Sequence, residues 1–341
     1  MGVDVSVIIP TMGRGPKLLN CLRSLAGQRF ARFEVLVGFD GPDAAGAAGA
    51  RESWPREMGD QLRVVECGRS GLAAVRNRLV ELARGRVMIS TNDDVIASPE
   101  LVSAHWEAHE EARRAGRVVV VSGSSPWVVH EPDRAFDRLI RETSMVFFYD
   151  QMTGEEPGRD WGFRHAWGLN MSAPTGVVRE VGAFAVFPAW YGYEDNEVAY
   201  RICTRYKAPV LYRAGAAVRH DHRMEPRAYL EREFKLGYAA VGFAKQAGEC
   251  ARAMFGRDVG AAPEISYSRE FLRREARGAA RLLRTFEQLA EMPSSVFDGV
   301  HGATLRDLGY QQHLILKRWM WRAGLVAAVE GRPMDALWPQ D

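Results

Sequence analysis

Four short apolar runs, separated by stretches of helical spacing, fill the first hundred residues, and this alternation limits the fold more than any other feature of the chain. Residues 3–10 (V-D-V-S-V-I-I-P) alternate and then turn wholly apolar, as a strand does on entering a buried sheet. Residues 17–28 follow with Leu18, Leu19, Leu22 and Leu25 at helical spacing. A second run, 33–39, closes on the turn Asp40-Gly41-Pro42-Asp43. The Ala/Gly-rich stretch to Gly49 fits helix or loop. Residues 62–66 form a third run, and 71–84 read as a helix with Leu72, Val75, Leu79 and Leu82 on one side. Residues 87–96 (V-M-I-S-T-N-D-D-V-I) are the fourth strand. The order β-α-β-α-β-α-β implies an α/β fold with a mainly parallel central sheet covered on both faces.

Ligands of such sheets bind beyond the carboxyl ends of the strands. Polar clusters fall at three of those ends: Thr11 with Arg14, Asp40 with Asp43, and Asp93 with Asp94. Adjacent carboxylates leaving a buried strand repel each other unless a cation sits beside them. A hard divalent ion shared with a phosphate-bearing ligand meets that need. The plainer alternative is a strand-to-helix turn in which an Asp caps the next segment. No G-x-G-x-x-G follows the first strand, which speaks against a dinucleotide dehydrogenase.

The 341 residues suffice for more than one compact domain. A formal charge of +2 gives no electrostatic case for nucleic acid as a partner. Cys21, Cys67, Cys203 and Cys250 lack metal-site spacing and read as reduced, buried thiols. With no membrane-length apolar stretch and an N-terminus that enters a strand at once, the reading is a cytoplasmic protein without a signal peptide.

Further along, 118–121 and 168–173 read as strands, and 179–184 as a short element. Residues 131–164 read as an irregular insertion over the site. A helix is expected at 194–206 and a strand at 210–218, leading into His220-Asp221-His222. After Pro226 the pattern becomes helical, over 227–255, 268–291 and 304–330. The expected division is therefore 1–225 and 226–341, with a C-terminal helical region. Within the last helix, Leu314, Ile315, Leu316, Trp319, Met320, Trp321, Leu325 and Val326 are too much apolar surface for a helix free in water. Packing on the first domain, a homodimer interface through the C-terminal helices, or a peripheral membrane contact would each bury it.

Five segments, in order, resemble the family 2 glycosyltransferases of the GT-A nucleotide-sugar-binding fold: V-S-V-I-I-P-T (5–11), V-G-F-D-G-P-D (37–43), G-L-A-A-V-R-N (71–77), T-N-D-D-V (91–95) and Y-E-D-N-E-V-A-Y-R (193–201). Two more resemble β-1,4-galactosyltransferase-like enzymes: Trp190-Tyr191-Gly192-Tyr193-Glu194-Asp195, and V-R-H-D-H at 218–222. One departure is clear: the Asp-x-Asp signature is Asn92-Asp93-Asp94 here, without its first acid.

The resemblance implies a nucleoside-diphosphate sugar donor, UDP-linked as first choice. Pro10, Thr11, Arg14, Asp40, Arg76, Asp93 and Asp94 would line the donor site. Asp40 would accept from the nucleotide base and Arg76 would point toward the nucleotide. Asp94, with His220 and His222, would hold Mn²⁺ or Mg²⁺. The histidines alternate along a strand end and so start on one face. Asp195 would be the general base of an inverting transfer, supported by Glu194. Trp190, Tyr191 and Tyr193 would stack on the acceptor, whether glycan, lipid, peptide or small molecule. Two rivals stand beside this reading. A sugar-phosphate nucleotidyltransferase needs a Gly-rich basic loop, of which residues 11–17 supply a poor version. A glycan-binding protein on the same fold would have no use for Glu194-Asp195.

Overall fold

The computed structural model describes residues 2–152, 158–187, 192–335 and 337–339. In chain order the elements are β1 (Val5–Thr11), α1 (Gly15–Ala26), β2 (Phe33–Asp40), α2 (Ala44–Ser53), β3 (Leu62–Cys67), α3 (Leu72–Leu82), β4 (Val87–Thr91) and β5 (Val95–Ala97). They continue with α4 (Leu101–Arg114), β6 (Val120–Gly123), α5 (Ala135–Glu142), β7 (Asn170–Pro174), α6 (Thr175–Glu180), α7 (Glu194–Tyr206), β8 (Val210–Arg213) and β9 (Val218–His220). Four helices complete the chain: α8 (Pro226–Gln246), α9 (Gly248–Phe255), α10 (Ala262–Glu291) and α11 (Gly302–Val329).

Two compact units emerge. The first comprises Met1–Val128, Met152–Val186 and Tyr193–His222, and the second Val129–Gln151, Phe187–Gly192 and Arg223–Asp341. The last changeover between them falls after His222. The stretch expected as an irregular insertion differs: Val129–Gln151 belongs to the second unit and contains α5, whose Phe136 and Leu139 are fully buried.

In the first unit a seven-stranded sheet runs β3-β2-β1-β4-β7-β6-β8. β1 pairs in parallel with β2 and β4, and β2 with β3, whereas β7 is antiparallel to both β4 and β6. All seven residues of β1 are buried, which explains its loss of alternation. Successive residues near β6 enter opposite cores. Val120 packs with Leu79 of α3 and Val198 and Ile202 of α7, while Val119 and Val121 pack with Ala108 and Ala112 of α4.

Two expected strands are each divided. The run 87–96 breaks after Thr91, and its last part, β5, leaves the main sheet to pair with β9 in a separate two-stranded ribbon. The run 210–218 divides the same way: β8 stays in the main sheet and β9 joins the ribbon. Buried carboxylates at 93 and 94 turn the chain out of the sheet plane there, which apolar patterning alone does not reveal.

In the second unit, α8 and α11 cross at backbone contact. A Cβ built on Gly237 would lie 1.8 Å from the Trp321 carbonyl oxygen, and one on Gly324 1.9 Å from that of Phe234. On α11, Leu316, Trp319, Met320, Leu325 and Val326 are all buried, and Trp319 donates its indole N–H to the Leu272 carbonyl of α10 at 3.1 Å. Neighbouring helices of its own unit thus take up five of the eight apolar residues singled out in the sequence, while Ile315 stays exposed. Among the described residues no helix is long and apolar enough to cross a membrane.

Candidate active site

The strand order reverses at β1, whose neighbours β2 and β4 continue the sheet in opposite directions. A crevice opens at such a switch point. There, Thr11 at the end of β1 meets the turn that follows β4. The Thr11 hydroxyl donates to Asp93 Oδ2 at 2.6 Å. Arg14, just before α1, pairs with both acids: Nε lies 3.3 Å from Asp93 Oδ2, Nη2 touches Asp93 Oδ1, and Nη1 is 2.6 Å from Asp94 Oδ2. The acids are buried, with side chains 0% and 3% exposed, while that of Arg14 is 44% exposed.

The ribbon brings the histidines to the same place. Val95 is the register partner of His220, and the Asp221 N–H donates to the Asp94 carbonyl at 2.8 Å. His220 Nε2 consequently lies 3.5 Å from Asp94 Oδ1, and His222 Nδ1 lies 3.5 Å from Asp94 Oδ2. Their rings stack with centroids 5.6 Å apart and planes at 15°. Burial alone would raise the Asp94 carboxyl, but His220, His222 and Arg14 together hold it below the usual carboxylate range. Asp93 goes the other way: burial raises its pKa despite Arg14 and Thr11. Burial also lowers the His220 pKa and keeps that ring neutral, the form that ligates metal.

A second acidic pair opens α7. Asp195 accepts the Gly168 N–H on Oδ2 and the Asn196 N–H on Oδ1, both at 2.8 Å, so its carboxylate is fixed by backbone. Glu194 is buried and bonded to Arg76 Nη1 at 3.0 Å. Its pKa is raised, by burial first and by Asp195 second. The other arm of Arg76 donates to Asn92 Oδ1 at 3.3 Å. Arg76 is 2% exposed and braces the Asn92-Asp93-Asp94 turn against Glu194. The missing first acid of the signature is explained locally: Arg76 already has a carboxylate partner, and Asn92 offers it a neutral acceptor.

Asp40 accepts the N–H groups of Ser70 and Gly71 at 2.7 and 3.1 Å and so fixes the loop into α3. Asp43 caps α2 through the Gly46 N–H at 2.8 Å. Pro10 lies buried in β1 opposite Gly38. Tyr193 takes the left-handed conformation, φ 73°, just before α7. Trp190 and Tyr191 lie outside the described residues.

Sequence reasoning missed two contributors. Trp127 packs on His220 with ring centroids 4.2 Å apart, and nothing in its local pattern marks it. Gly168 gives Asp195 its N–H, and a Cβ there would lie 2.6 Å from Arg76 Nη2. Its position at the mouth of the 168–173 run was a usable signal.

By residue type, Asp94 with the two histidines suits a divalent cation. Among the described residues, however, no three or more His, Cys, Asp or Glu side chains are grouped so that they could hold a metal ion. Even so, the 3.5 Å between each imidazole nitrogen and an Asp94 oxygen is close to the roughly 3 Å separating adjacent donors of an octahedral ion. One carboxylate with two imidazoles matches Mn²⁺ in chemistry.

This sheet, its switch-point site and the helices covering it define a GT-A glycosyltransferase fold, and residues 6–167 match the family model for Glycosyl transferase family 2. Residues 6–167, just under half of the chain, thus form a family 2 glycosyltransferase domain. Among curated proteins it is 34% identical, over 109 residues, to the uncharacterized glycosyltransferase YfnE of Bacillus subtilis, covering 32% of this chain and 27% of that one. It is 27% identical over 221 residues to validoxylamine A glucosyltransferase of Streptomyces hygroscopicus subsp. jinggangensis, covering 58% and 51%. The chain thus spans about a quarter and about half of the length of these two relatives. In structure it resembles the mannosyltransferase PcManGT from Pyrobaculum calidifontis in complex with GDP-Man and Mn²⁺, with a TM-score of 0.54 at 17% identity over 97% of this chain and 87% of that one. It also resembles S. aureus TarS 1-349 in complex with UDP-GlcNAc, with a TM-score of 0.50 at 16% identity over 97% and 93%.

Proposed function

We propose that the protein is an inverting, divalent-metal-dependent glycosyltransferase that moves a sugar from a nucleoside-diphosphate sugar, UDP-linked as first choice, to an acceptor hydroxyl in the cytoplasm. The observation that carries this is Arg76, bonded at once to Asn92 and Glu194, which ties the Asp93-Asp94 turn to the Glu194-Asp195 pair. A cation-binding carboxylate and a candidate base are thereby held on either side of one rigid brace. The solved complexes of PcManGT with GDP-Man and Mn²⁺ and of TarS with UDP-GlcNAc support a nucleotide-sugar donor.

In this reading Asp94, His220 and His222 hold Mn²⁺ or Mg²⁺, which when bound stabilises charge on the departing diphosphate. Thr11, Arg14 and Asp93 line the phosphate and ribose side, with Pro10 and Asp40 on the base side. Asp195 takes the proton of the acceptor hydroxyl as that oxygen bonds the anomeric carbon, and the carbon–phosphate-oxygen bond breaks with its electron pair leaving on the nucleoside diphosphate. The two N–H groups on Asp195 leave the remaining lone pairs of its carboxylate for that proton. In this reading Tyr193, two residues before Asp195, stacks on the acceptor.

The test is a panel of UDP- and GDP-sugars with Mn²⁺, read as released nucleoside diphosphate. Slow donor hydrolysis with at least one of them is expected. Release of a nucleoside monophosphate would mark a nucleotidyltransferase, and binding without turnover of any donor would mark a glycan-binding protein.

A further inference from the structure

In the first loop the structure places a permanent cation where the proposed metal has to work. We infer that Arg14 is the internal counter-ion of the Asp93–Asp94 pair, that the divalent cation has to displace it, and that the freed guanidinium then engages the donor's diphosphate. This rests on the metal reading of Asp94 above.

Three observations carry it. Arg14 contacts Asp93 through two of its nitrogens and Asp94 through a third, so its fork bridges both acids and offsets one unit of their charge. Asp94 Oδ2, which His222 Nδ1 approaches to 3.5 Å, is the same oxygen that Arg14 Nη1 occupies at 2.6 Å. Arginine and a metal ion therefore compete for one lone-pair region. The partners also differ in freedom: both acids are buried in a turn fixed between β4 and β5, while Arg14 is half exposed and follows Gly13, whose φ of 73° is open to glycine. Whatever moves on cation binding is the arginine. A planar fork released from two carboxylates keeps its fit to two phosphate oxygens.

This makes Arg14 a positioning residue with opposite effects on two affinities. Without it, bare Mn²⁺ meets an unopposed acidic pair and binds more tightly. In the presence of a diphosphate the same loss removes a phosphate contact, and binding weakens. A residue that merely supported the loop would weaken both.

The experiment measures Mn²⁺ binding to the full chain by electron paramagnetic resonance, alone and with saturating UDP or GDP, for wild type and Arg14→Met. Arg14→Gln replaces it should the methionine variant fail to fold by thermal melting. About a tenfold tighter affinity for bare Mn²⁺ is expected in the variant, together with a several-fold weaker affinity for the nucleoside diphosphate in the presence of Mn²⁺. If wild type binds Mn²⁺ and the variant binds it no more tightly, the inference fails while the metal reading stands. If neither chain binds Mn²⁺, the metal reading itself fails. Binding by the variant alone would support the inference in its strongest form, with Arg14 excluding the ion until a diphosphate draws it away.

Discussion

Arg76 Nη1 and Glu194 Oε1 lie 3.0 Å apart between side chains that are 3% and 10% exposed, joining α3 to the start of α7. Removing one member of such a pair strands the other charge in a poor solvent. Arg76→Met should therefore cost about 3 kcal/mol or more of unfolding free energy. Adding Glu194→Gln should restore much of the loss, because the stranded charge is then gone. Urea unfolding of the single and double variants decides this, and equal stability of the two would place the cost elsewhere.

Asp195→Asn keeps the shape of the side chain but leaves one acceptor oxygen where two backbone N–H groups now donate. Donor affinity should stay within a few-fold, while transfer falls by about 10²-fold or more. A structural role alone would lower thermal stability and donor affinity along with transfer. Lost transfer with an unchanged melting temperature and donor affinity is the expected signature.

Chelation should abolish donor turnover, and Mn²⁺ or Mg²⁺ should restore it. Asp94→Ala should not recover at any metal concentration. His222→Ala, on the more exposed side of the pair, should recover at raised Mn²⁺. Full turnover in chelator would remove the metal from the mechanism.

Away from the site, His105 and His109 are buried between α4 and β7. His105 shares hydrogen bonds with Ser172 and Asn170, at 2.8 and 2.9 Å, and His109 with Ser172 at 2.7 Å. Burial lowers their pKa values to about 4 and about 3. Unfolded imidazoles bind protons below about 6.5, so unfolding takes up protons and stability falls as pH drops from 6.5 toward 4. Each histidine should contribute a slope of at most about 1.4 kcal/mol per pH unit in that window. His109→Gln should flatten the acid side of the stability curve measured by urea unfolding at stepped pH. An unchanged slope would assign the acid sensitivity to other groups.

Gly324→Ala should destabilise the second unit severely, since its Cβ would meet the Phe234 carbonyl at 1.9 Å and the Tyr238 nitrogen at 2.8 Å. A separate, lower thermal transition or loss of soluble protein is the expected outcome. A melt indistinguishable from wild type would show that the helices separate at little cost.

The first unit was legible in the sequence because its strands and helices alternate and its apolar periods are regular. β2 begins at the expected residue, and α7 spans the expected 194–206. Acids at strand ends were legible as a class, since charge on a buried strand needs a reason. Their partners were not. That Arg14 would grip both acids, or that Arg76 would turn to Glu194, depends on distances between segments that no local pattern encodes. The break after Thr91 was hidden because Val95 and Ile96 continue the apolar count while belonging to another sheet. The α11 surface was read correctly as needing burial. Its partners escaped notice because two glycines, Gly237 and Gly324, let α8 come within backbone distance.

The ribbon of β5 and β9 also sets an order of events during synthesis. Thr11, Arg14, Asp93 and Asp94 all leave the ribosome early, so the acidic turn can acquire its arginine as soon as β1 and β4 pair. His220 and His222 arrive only at the end of the first unit, and three register pairs dock them. A growing chain thus has its acidic pair bridged by Arg14 long before the proposed histidine ligands arrive. A nascent chain arrested before Val218 is expected to leave Mn²⁺ unbound, and one arrested well past His222 to take it up; uptake by the shorter chain would break that sequence.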